Sequence, residues 1–95
     1  MNICEAITTQ SLLSFSYHGH LRVVQPHTYG IDRKGHKALR AYQTGGTSGS
    51  GRIPAWRIFH EADMHALATL QEKFAGPHHE YKHGDEAFST ILCQL

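Results

Sequence analysis

The sequence has few cysteines and no long hydrophobic run, and each shortage excludes a class of protein. Among its 95 residues only Cys4 and Cys93 carry thiols, without the CxxC spacing typical of redox or metal sites. We therefore expect reduced thiols in a cytoplasmic protein. No segment approaches the roughly 20 apolar residues that a membrane-spanning helix requires. The first residues lack the basic-then-apolar pattern of a signal peptide, so none is expected.

The sequence also lacks the residue combinations on which catalysis usually depends. Its serines have no nucleophile-elbow context, and neither cysteine has an obvious base nearby. The glycine-rich segment 45–51 has no Lys-Ser pair leading into a helix, so it is interpreted as a mobile hairpin connection rather than a phosphate loop. We therefore expect a protein that is not an enzyme and holds no cofactor.

What the sequence does contain is typical of one globular domain. Hydrophobic residues make up 40% and charged residues 18% of the chain, which is ordinary for a folded protein. A chain of this length can bury one core of its own. We therefore interpret residues 1–95 as a single domain.

Positive charge is concentrated in the middle of the chain. Residues 21–60 have a net charge of +6 and residues 61–95 a net charge of −4, although the whole chain carries only +1. The basic residues of the middle segment are Arg22, Arg33, Lys34, Lys37, Arg40, Arg52 and Arg57. A basic surface of this kind indicates an anionic partner.

Alternation of apolar and polar residues predicts β-strands through the same basic segment. A helix is predicted within residues 1–10, followed by strands at 12–17, 21–25, 36–43 and 53–59. Pro26 predicts the end of a strand, a bulge or an edge. Segment 64–70 fits either a helix or a fifth strand, and both interpretations remain open. Asp85 is predicted to cap a closing helix within 84–95, whose apolar stripe comprises Phe88, Ile91, Leu92 and Leu95.

The turn at residues 18–20 sets the register of the first hairpin. A three-residue loop pairs Phe15 with Val23 and keeps the apolar residues on one face, whereas a two-residue loop places Phe15 opposite Arg22. We therefore expect the longer loop, with Arg22 on the second face. Together the elements predict a mainly β fold. We expect a small, partly closed antiparallel barrel of four or five strands over residues 12–70, with a short helix at each end.

Four segments form a recognisable pattern: Leu13-x-Phe15-x-Tyr17, Arg22-x-Val24-x-Pro26, Gly35 followed by Leu39, and Trp56-Arg57-x-Phe59. Its strongest part is the first hairpin, where Tyr17, Arg22 and Pro26 place an aromatic residue, an arginine and a proline at fixed offsets. Together the four segments resemble the WYL domain family, a bacterial regulatory and ligand-sensing module built on an Sm-like or SH3-like barrel. The resemblance covers residues 3–74, but the Trp-Tyr-Leu that names the family reads Lys-Ala-Leu here, at residues 37–39. It implies that Tyr17, Arg22 and Arg57 contact a nucleotide, a single-stranded nucleic acid or a related anion.

Arginines beside aromatic residues are suited to such a ligand, because a guanidinium binds phosphate bidentately and an aromatic ring stacks on a base. His27 lies next to Pro26, near this inferred site. The predicted ligand-binding residues are Tyr17, Arg22, His27, Arg40, Arg52 and Arg57. The alternative, in which the arginines are solvated and the aromatic residues are core, remains open.

Two functions follow from these residues. In the first, the chain binds a nucleotide or short single-stranded nucleic acid and reports it to a regulatory partner protein. In the second, its basic sheet is an adaptor for an acidic protein, including a second copy of the chain. The histidines clustered at residues 78–83 have no accompanying cysteine, and we expect no metal site there.

Overall fold

The computed structural model describes residues 3–47 and 52–95. Within them, one helix and a 3₁₀ turn accompany six strands: α1 (Ile3–Thr9), β1 (Ser11–Tyr17), β2 (His20–Asp32), β3 (Lys37–Gly46), β4 (Ala55–His60), the 3₁₀ turn (Glu61–Asp63), β5 (Met64–Lys73) and β6 (Phe88–Gln94). The predicted mainly β fold is confirmed. The start of the predicted first helix and residues 48–51 of the predicted glycine-rich loop lie outside the described residues. No helix in the described part of the chain is long and apolar enough to cross a membrane.

All six strands pair antiparallel in one sheet, in the order β4-β3-β2-β1-β5, with β6 added to β2. The long strand β2 makes this arrangement possible, because its first half pairs with β1 and its second half, from Thr28 to Asp32, pairs with β6. Strand β3 runs along the other side of β2. In the described residues this path does not close into a ring, so the sheet ends at β4 and β5.

A bulge divides the two halves of β2. The register with β3 shifts between Pro26, which pairs with Ala41, and Thr28, which pairs with Arg40. His27 is therefore the extra residue of the bulge. Pro26 has no N–H to donate to a neighbouring strand, and a bulge is one of the few places where a sheet tolerates it. The predicted interruption at Pro26 thus takes the form of a bulge.

The predicted three-residue loop between β1 and β2 is wrong. Tyr17 pairs with His20 and Phe15 with Arg22, so the loop contains only His18 and Gly19. Both loop residues have positive φ angles, of 51° and 80°, which is the geometry that suits a two-residue hairpin turn. The shorter loop places Arg22 on the same face as Phe15.

The predicted C-terminal helix is also wrong, because Phe88–Gln94 forms strand β6. The second half of β2 has an unpaired side after the bulge, and β6 fills it. Gly30 allows this close pairing, since a Cβ there would collide with the carbonyl oxygen of Thr90 and would approach the Cα of Ile91 to 3.0 Å. Of the two interpretations of segment 64–70, the strand is the one observed, as part of β5.

The core lies between α1 and the sheet. Its buried apolar residues are Ile3, Ala6, Ile7, Leu13, Phe15, Tyr17, Val24, Leu39, Ala41 and Phe59. A disulfide joins Cys4 of α1 to Cys93 of β6, so the expectation of two reduced thiols is wrong for this structure. The pairing of β6 with β2 brings Cys93 next to helix α1. A helix over residues 84–95 gave no reason to place Cys93 near Cys4, so the disulfide was not predicted.

Candidate functional site

Strands β3 and β4 divide the predicted arginines between the two faces of the sheet. Ala41 pairs with Arg57, and the next pair along is Tyr42 with Trp56. Because side chains alternate along a strand, Arg57 lies with Ala41 on the face that carries the core, and Arg40 lies with Tyr42 on the opposite face. We call these the inner face and the outer face. Of the predicted ligand-binding residues, the inner face brings together Tyr17, Arg22 and Arg57, whereas the outer face carries His27 and Arg40.

Arg22 is buried on the inner face, with only 6% of its surface exposed. Its Nη1 donates to Oε1 of Gln43 at 3.3 Å, and its Nη2 donates to the carbonyl oxygen of Tyr17 at 3.2 Å. The guanidinium carbon lies 5.5 Å from the ring centre of Tyr17 and 5.8 Å from that of Phe59, within cation–π range. Nε has no hydrogen-bond partner among the described residues.

No carboxylate forms an ion pair with Arg22 in the described part of the chain, and the six remaining residues include no Asp or Glu. Burial lowers the pKa of its guanidinium, and the positive charge of nearby Arg57 lowers the pKa further. Tyr17 acts in the opposite direction. An arginine nevertheless stays protonated in a protein. The inner face therefore holds a buried positive charge beside a second one, and we call Arg22 and Arg57 the arginine pair.

Arg52 and Tyr17 take different roles around this pair. Nη2 of Arg57 donates to the backbone carbonyl of Arg52 at 2.6 Å, while the side chain of Arg52 is exposed. The ring of Tyr17 stacks on His18 and packs edge-on against Phe59, and its hydroxyl accepts the backbone N–H of His60 at 3.0 Å. Packing thus occupies the ring of Tyr17, and little of it is exposed for stacking on a base.

Gln43 belongs to this group, although the sequence prediction did not include it. Its side chain is fully buried, and its Nε2 donates to the carbonyl oxygens of Gly45 at 3.0 Å and Thr47 at 3.1 Å. One amide therefore holds the start of the glycine-rich segment and also accepts from Arg22. The signal was present in the sequence, because Gln43 continues the inward alternation of Leu39 and Ala41 with a polar side chain.

On the outer face, Arg40 is neutralised within the protein. Its Nε donates to Oδ2 of Asp85 at 2.8 Å. Burial alone would raise the pKa of Asp85, but the N–H of Ala87 and the guanidinium of Arg40 outweigh it and hold the pKa below its usual range. This ion pair borders a cleft of about 750 Å³, the outer cleft, which is lined by Arg40, Trp56 and residues 80–87.

His27 is fully buried behind the outer cleft. Its Nε2 accepts the N–H of His78 at 2.9 Å, so the ring proton lies on Nδ1 and is donated to the carbonyl oxygen of Gln25 at 2.8 Å. Trp56 and Tyr81 pack against the ring. Burial lowers the pKa of His27. Both nitrogens are used inside the protein, so the imidazole is neutral and no part of it faces a ligand.

Comparison with known proteins gives no relative from which a function could be transferred. No family model, no curated protein and no solved structure matches the chain. The resemblance to the WYL family therefore stays a prediction, and the site is interpreted from its own geometry.

Proposed function

We propose that this chain is a non-catalytic module that binds a nucleotide or a short single-stranded nucleic acid through the arginine pair. One observation carries the proposal: Arg22 is buried next to Arg57, and no carboxylate among the described residues forms an ion pair with it. A buried charge that lacks a counter-charge costs several kcal/mol, and proteins ordinarily pair such charges. A bound phosphate would offset that cost.

The inner face offers a donor and positive charge that suit a phosphate. Nε of Arg22 has a hydrogen that no described residue accepts, and Arg57 adds a second positive charge nearby. Guanidinium–phosphate hydrogen bonds are charge-assisted and are stronger where water is excluded. Arg52 adds an exposed positive charge beside Arg57, which would attract an anionic ligand from solution.

The regulatory part of the proposal depends on the resemblance to the WYL family. A module of that kind senses its ligand and reports it to a partner protein, for example in bacterial transcription regulation. A cytoplasmic location fits this role only if Cys4 and Cys93 are reduced in the cell, because disulfides persist mainly in oxidising compartments. Labelling of free thiols in freshly lysed cells measures that state directly.

Binding measurements on matched variants test the arginine pair. The probes are ATP, measured by calorimetry, and a fluorescently labelled single-stranded oligonucleotide, measured by anisotropy at low and high salt. We expect Arg22→Met and Arg57→Gln each to weaken binding by about tenfold or more, since a hydrogen bond to a charged group contributes roughly 1.5–3 kcal/mol. The matched control is Lys82→Gln, which removes one positive charge from the lining of the outer cleft and is expected to change binding little.

The three variants distinguish binding at the arginine pair from attraction by net charge. Methionine at position 22 is apolar and of similar length, so the buried charge is removed without leaving a large cavity, and thermal melts check that the fold is kept. Equal losses in Arg57→Gln and Lys82→Gln would mean attraction by net charge alone. Unchanged affinity in both arginine variants contradicts the proposal, and a loss confined to Lys82→Gln moves the site to the outer cleft.

A second candidate function, a protein-interaction adaptor or homodimer, is favoured by the two ends of the sheet. Among the described residues, β4 and β5 each pair with one neighbour, and they expose Ile58 and Leu67 respectively. Exposed edge strands of this kind readily pair with another chain. Size-exclusion chromatography with light scattering, compared for the original chain and Leu67→Lys, distinguishes an edge-to-edge dimer from a monomer.

A further inference from the structure

Three side chains with metal-ligand chemistry meet at one end of the sheet, apart from the arginine pair. Asp32 is the last residue of β2, His36 directly precedes β3, and His60 is the last residue of β4. One ligand atom from each lies within 4.8 Å of the other two. In residues 3–47 and 52–95, this is the one set of three or more His, Cys, Asp or Glu side chains that is close enough to share an ion.

The turn between β2 and β3 determines the position of two of these side chains. The N–H of Asp32 donates to the carbonyl oxygen of His36 at 2.8 Å, and the N–H of Gly35 donates to the carbonyl oxygen of Asp32 at 3.0 Å. Gly35 has a φ of +88°, which glycine adopts readily at the end of a three-residue loop. The hairpin therefore holds Asp32 and His36 side by side.

Strand pairing brings the third side chain. His60 pairs with Ala38, near the start of β3, so its ring reaches the same end of the sheet as His36. The ring centres of His36 and His60 are 5.1 Å apart. The backbone N–H of His60 is bonded to the Tyr17 hydroxyl, which fixes the position of the strand end.

The carboxylate of Asp32 is oriented in advance. Its Oδ1 accepts the N–H groups of Lys34 at 2.9 Å and His36 at 2.8 Å. Its Oδ2 faces the two imidazoles, 3.5 Å from Nδ1 of His36 and 3.4 Å from Nε2 of His60. Backbone donors that hold one carboxylate oxygen so that the other can bind are typical of the groups that support a metal site.

We propose that Asp32, His36 and His60 bind a divalent transition-metal ion of the zinc type and leave at least one coordination position open. Two ligands about 2.0–2.1 Å from a tetrahedral Zn²⁺ lie about 3.3 Å apart, close to the separations that Oδ2 of Asp32 makes with both imidazoles. These separations exceed the roughly 2.8 Å of a charge-assisted hydrogen bond. The set suits a transition metal rather than Mg²⁺ or Ca²⁺, because it offers two imidazoles and a single carboxylate.

Solvent can reach the proposed site. The side chains of His36 and His60 are 57% and 43% exposed, whereas that of Asp32 is 13% exposed. An ion would therefore sit on a half-buried, oriented carboxylate and be covered by two accessible imidazoles. Three protein ligands leave room for water or another small ligand, as in zinc sites that are not purely structural.

Metal titration of histidine variants tests the site. The protein is stripped with a chelator and titrated with Zn²⁺ by calorimetry, and Co²⁺ is used as a spectroscopic probe of coordination in the visible range. We expect one ion per chain, and His60→Gln is expected to weaken binding at least tenfold and to abolish the Co²⁺ spectrum. His79→Gln is the matched control, because it removes another exposed histidine from the outer cleft region and is expected to leave both readouts unchanged.

A further variant tests the carboxylate separately. Asp32→Asn keeps an oxygen for the backbone N–H groups but removes the charge, and we expect it to weaken Zn²⁺ binding at least tenfold while the chain stays folded. Equal weakening by His60→Gln and His79→Gln would overturn the proposal, since it would show scattered binding to surface histidines. Unchanged binding in both His60→Gln and Asp32→Asn would overturn it as well.

Discussion

Arginine side chains have charged partners on one face of the sheet and uncharged partners on the other. On the outer face, Arg40 meets Asp85 at 2.8 Å and its charge is balanced within the chain. On the inner face, Arg22 is more deeply buried, yet its described partners are an amide oxygen and a carbonyl oxygen. Burial of a cation is therefore not by itself evidence of an ion pair, and a buried cation without a described counter-charge is the better candidate for a ligand site.

The largest loss in the free energy of unfolding is expected from Gly30→Ala, which tests how much the close pairing of β6 with β2 contributes to stability. The new methyl group would collide with the backbone of β6 at Thr90 and push the strand away from β2. Overpacking of this kind costs typically 1–3 kcal/mol, and we expect about 3 kcal/mol because the obstacle is backbone. Urea unfolding measures the change.

Gly45→Ala is the matched control for Gly30→Ala. The added methyl group there would meet the Cβ of Val23 at 3.3 Å, a contact that a small side-chain shift relieves. We expect a loss of less than about 1 kcal/mol. Equal losses in the two variants would contradict a special role for Gly30 in seating β6.

A smaller effect is expected from Asp85→Asn, which makes the outer face resemble the inner one. The side chains of Arg40 and Asp85 are 28% and 14% exposed, so the pair lies between a surface and a buried ion pair. We expect a loss of about 1–2 kcal/mol in the free energy of unfolding, between the magnitudes for those two cases. The exposed pair of His18 and Asp63 gives the control, Asp63→Asn, which is expected to change stability by less than about 0.5 kcal/mol.

Asp85→Asn is also expected to change ligand binding at the outer face. Because the charge of Arg40 is then no longer balanced by Asp85, we expect the variant to bind ATP more tightly than the original chain. A variant that loses stability but gains no affinity would mean that an unbalanced arginine is insufficient, and that the inner face depends on having two arginines together.

The most gradual effect is expected from acid, and it depends on the protonation of His27. Its pKa is lowered from the usual 6.5, so the unfolded chain binds the proton more readily than the folded chain. The stability that neutral His27 contributes is therefore complete above pH 6.5 and decreases as the pH falls below it, by at most about 1.4 kcal/mol per pH unit. Urea unfolding at a series of pH values between 7 and 5 measures the slope.

The control for this pH dependence is His27→Gln, whose amide can still donate and accept hydrogen bonds but does not titrate. We expect the variant to show a shallower loss of stability between pH 7 and 5. An identical slope in the two proteins would assign the pH dependence to groups other than His27.

Alternation of apolar and polar residues was sufficient to predict most of the strands, because strand formation at these positions depends on residues close together in the sequence. The period-two pattern in β1, the inward Leu39 and Ala41 of β3 and the proline bulge of β2 each depend on neighbouring residues. The fold class was therefore predictable before any pairing was known. The closing helix was predicted wrongly because the apolar spacing of residues 88–95 fits a helical stripe, while the unpaired half of β2 that selects a strand lies about 60 positions earlier.

The arginine pair was harder to predict, because alternation assigns an arginine to the polar face of a strand and Arg22 is buried on the apolar face. The register of the first hairpin was chosen to keep arginine away from the apolar face, but Arg22 lies on that face and Leu21 is exposed instead. A buried arginine cannot be recognised from alternation alone. The meeting of His60 with Asp32 is likewise invisible locally, since it follows from the pairing of His60 with Ala38.

The disulfide between Cys4 and Cys93 converts most of the chain into a covalent ring. The bond links helix α1 directly to strand β6, so neither element can separate from the rest of the fold without displacing the other. Reduction of this disulfide removes the covalent link between α1 and β6. Strand β6, which borders the outer cleft, would then be held only by its hydrogen bonds to β2 and by side-chain packing.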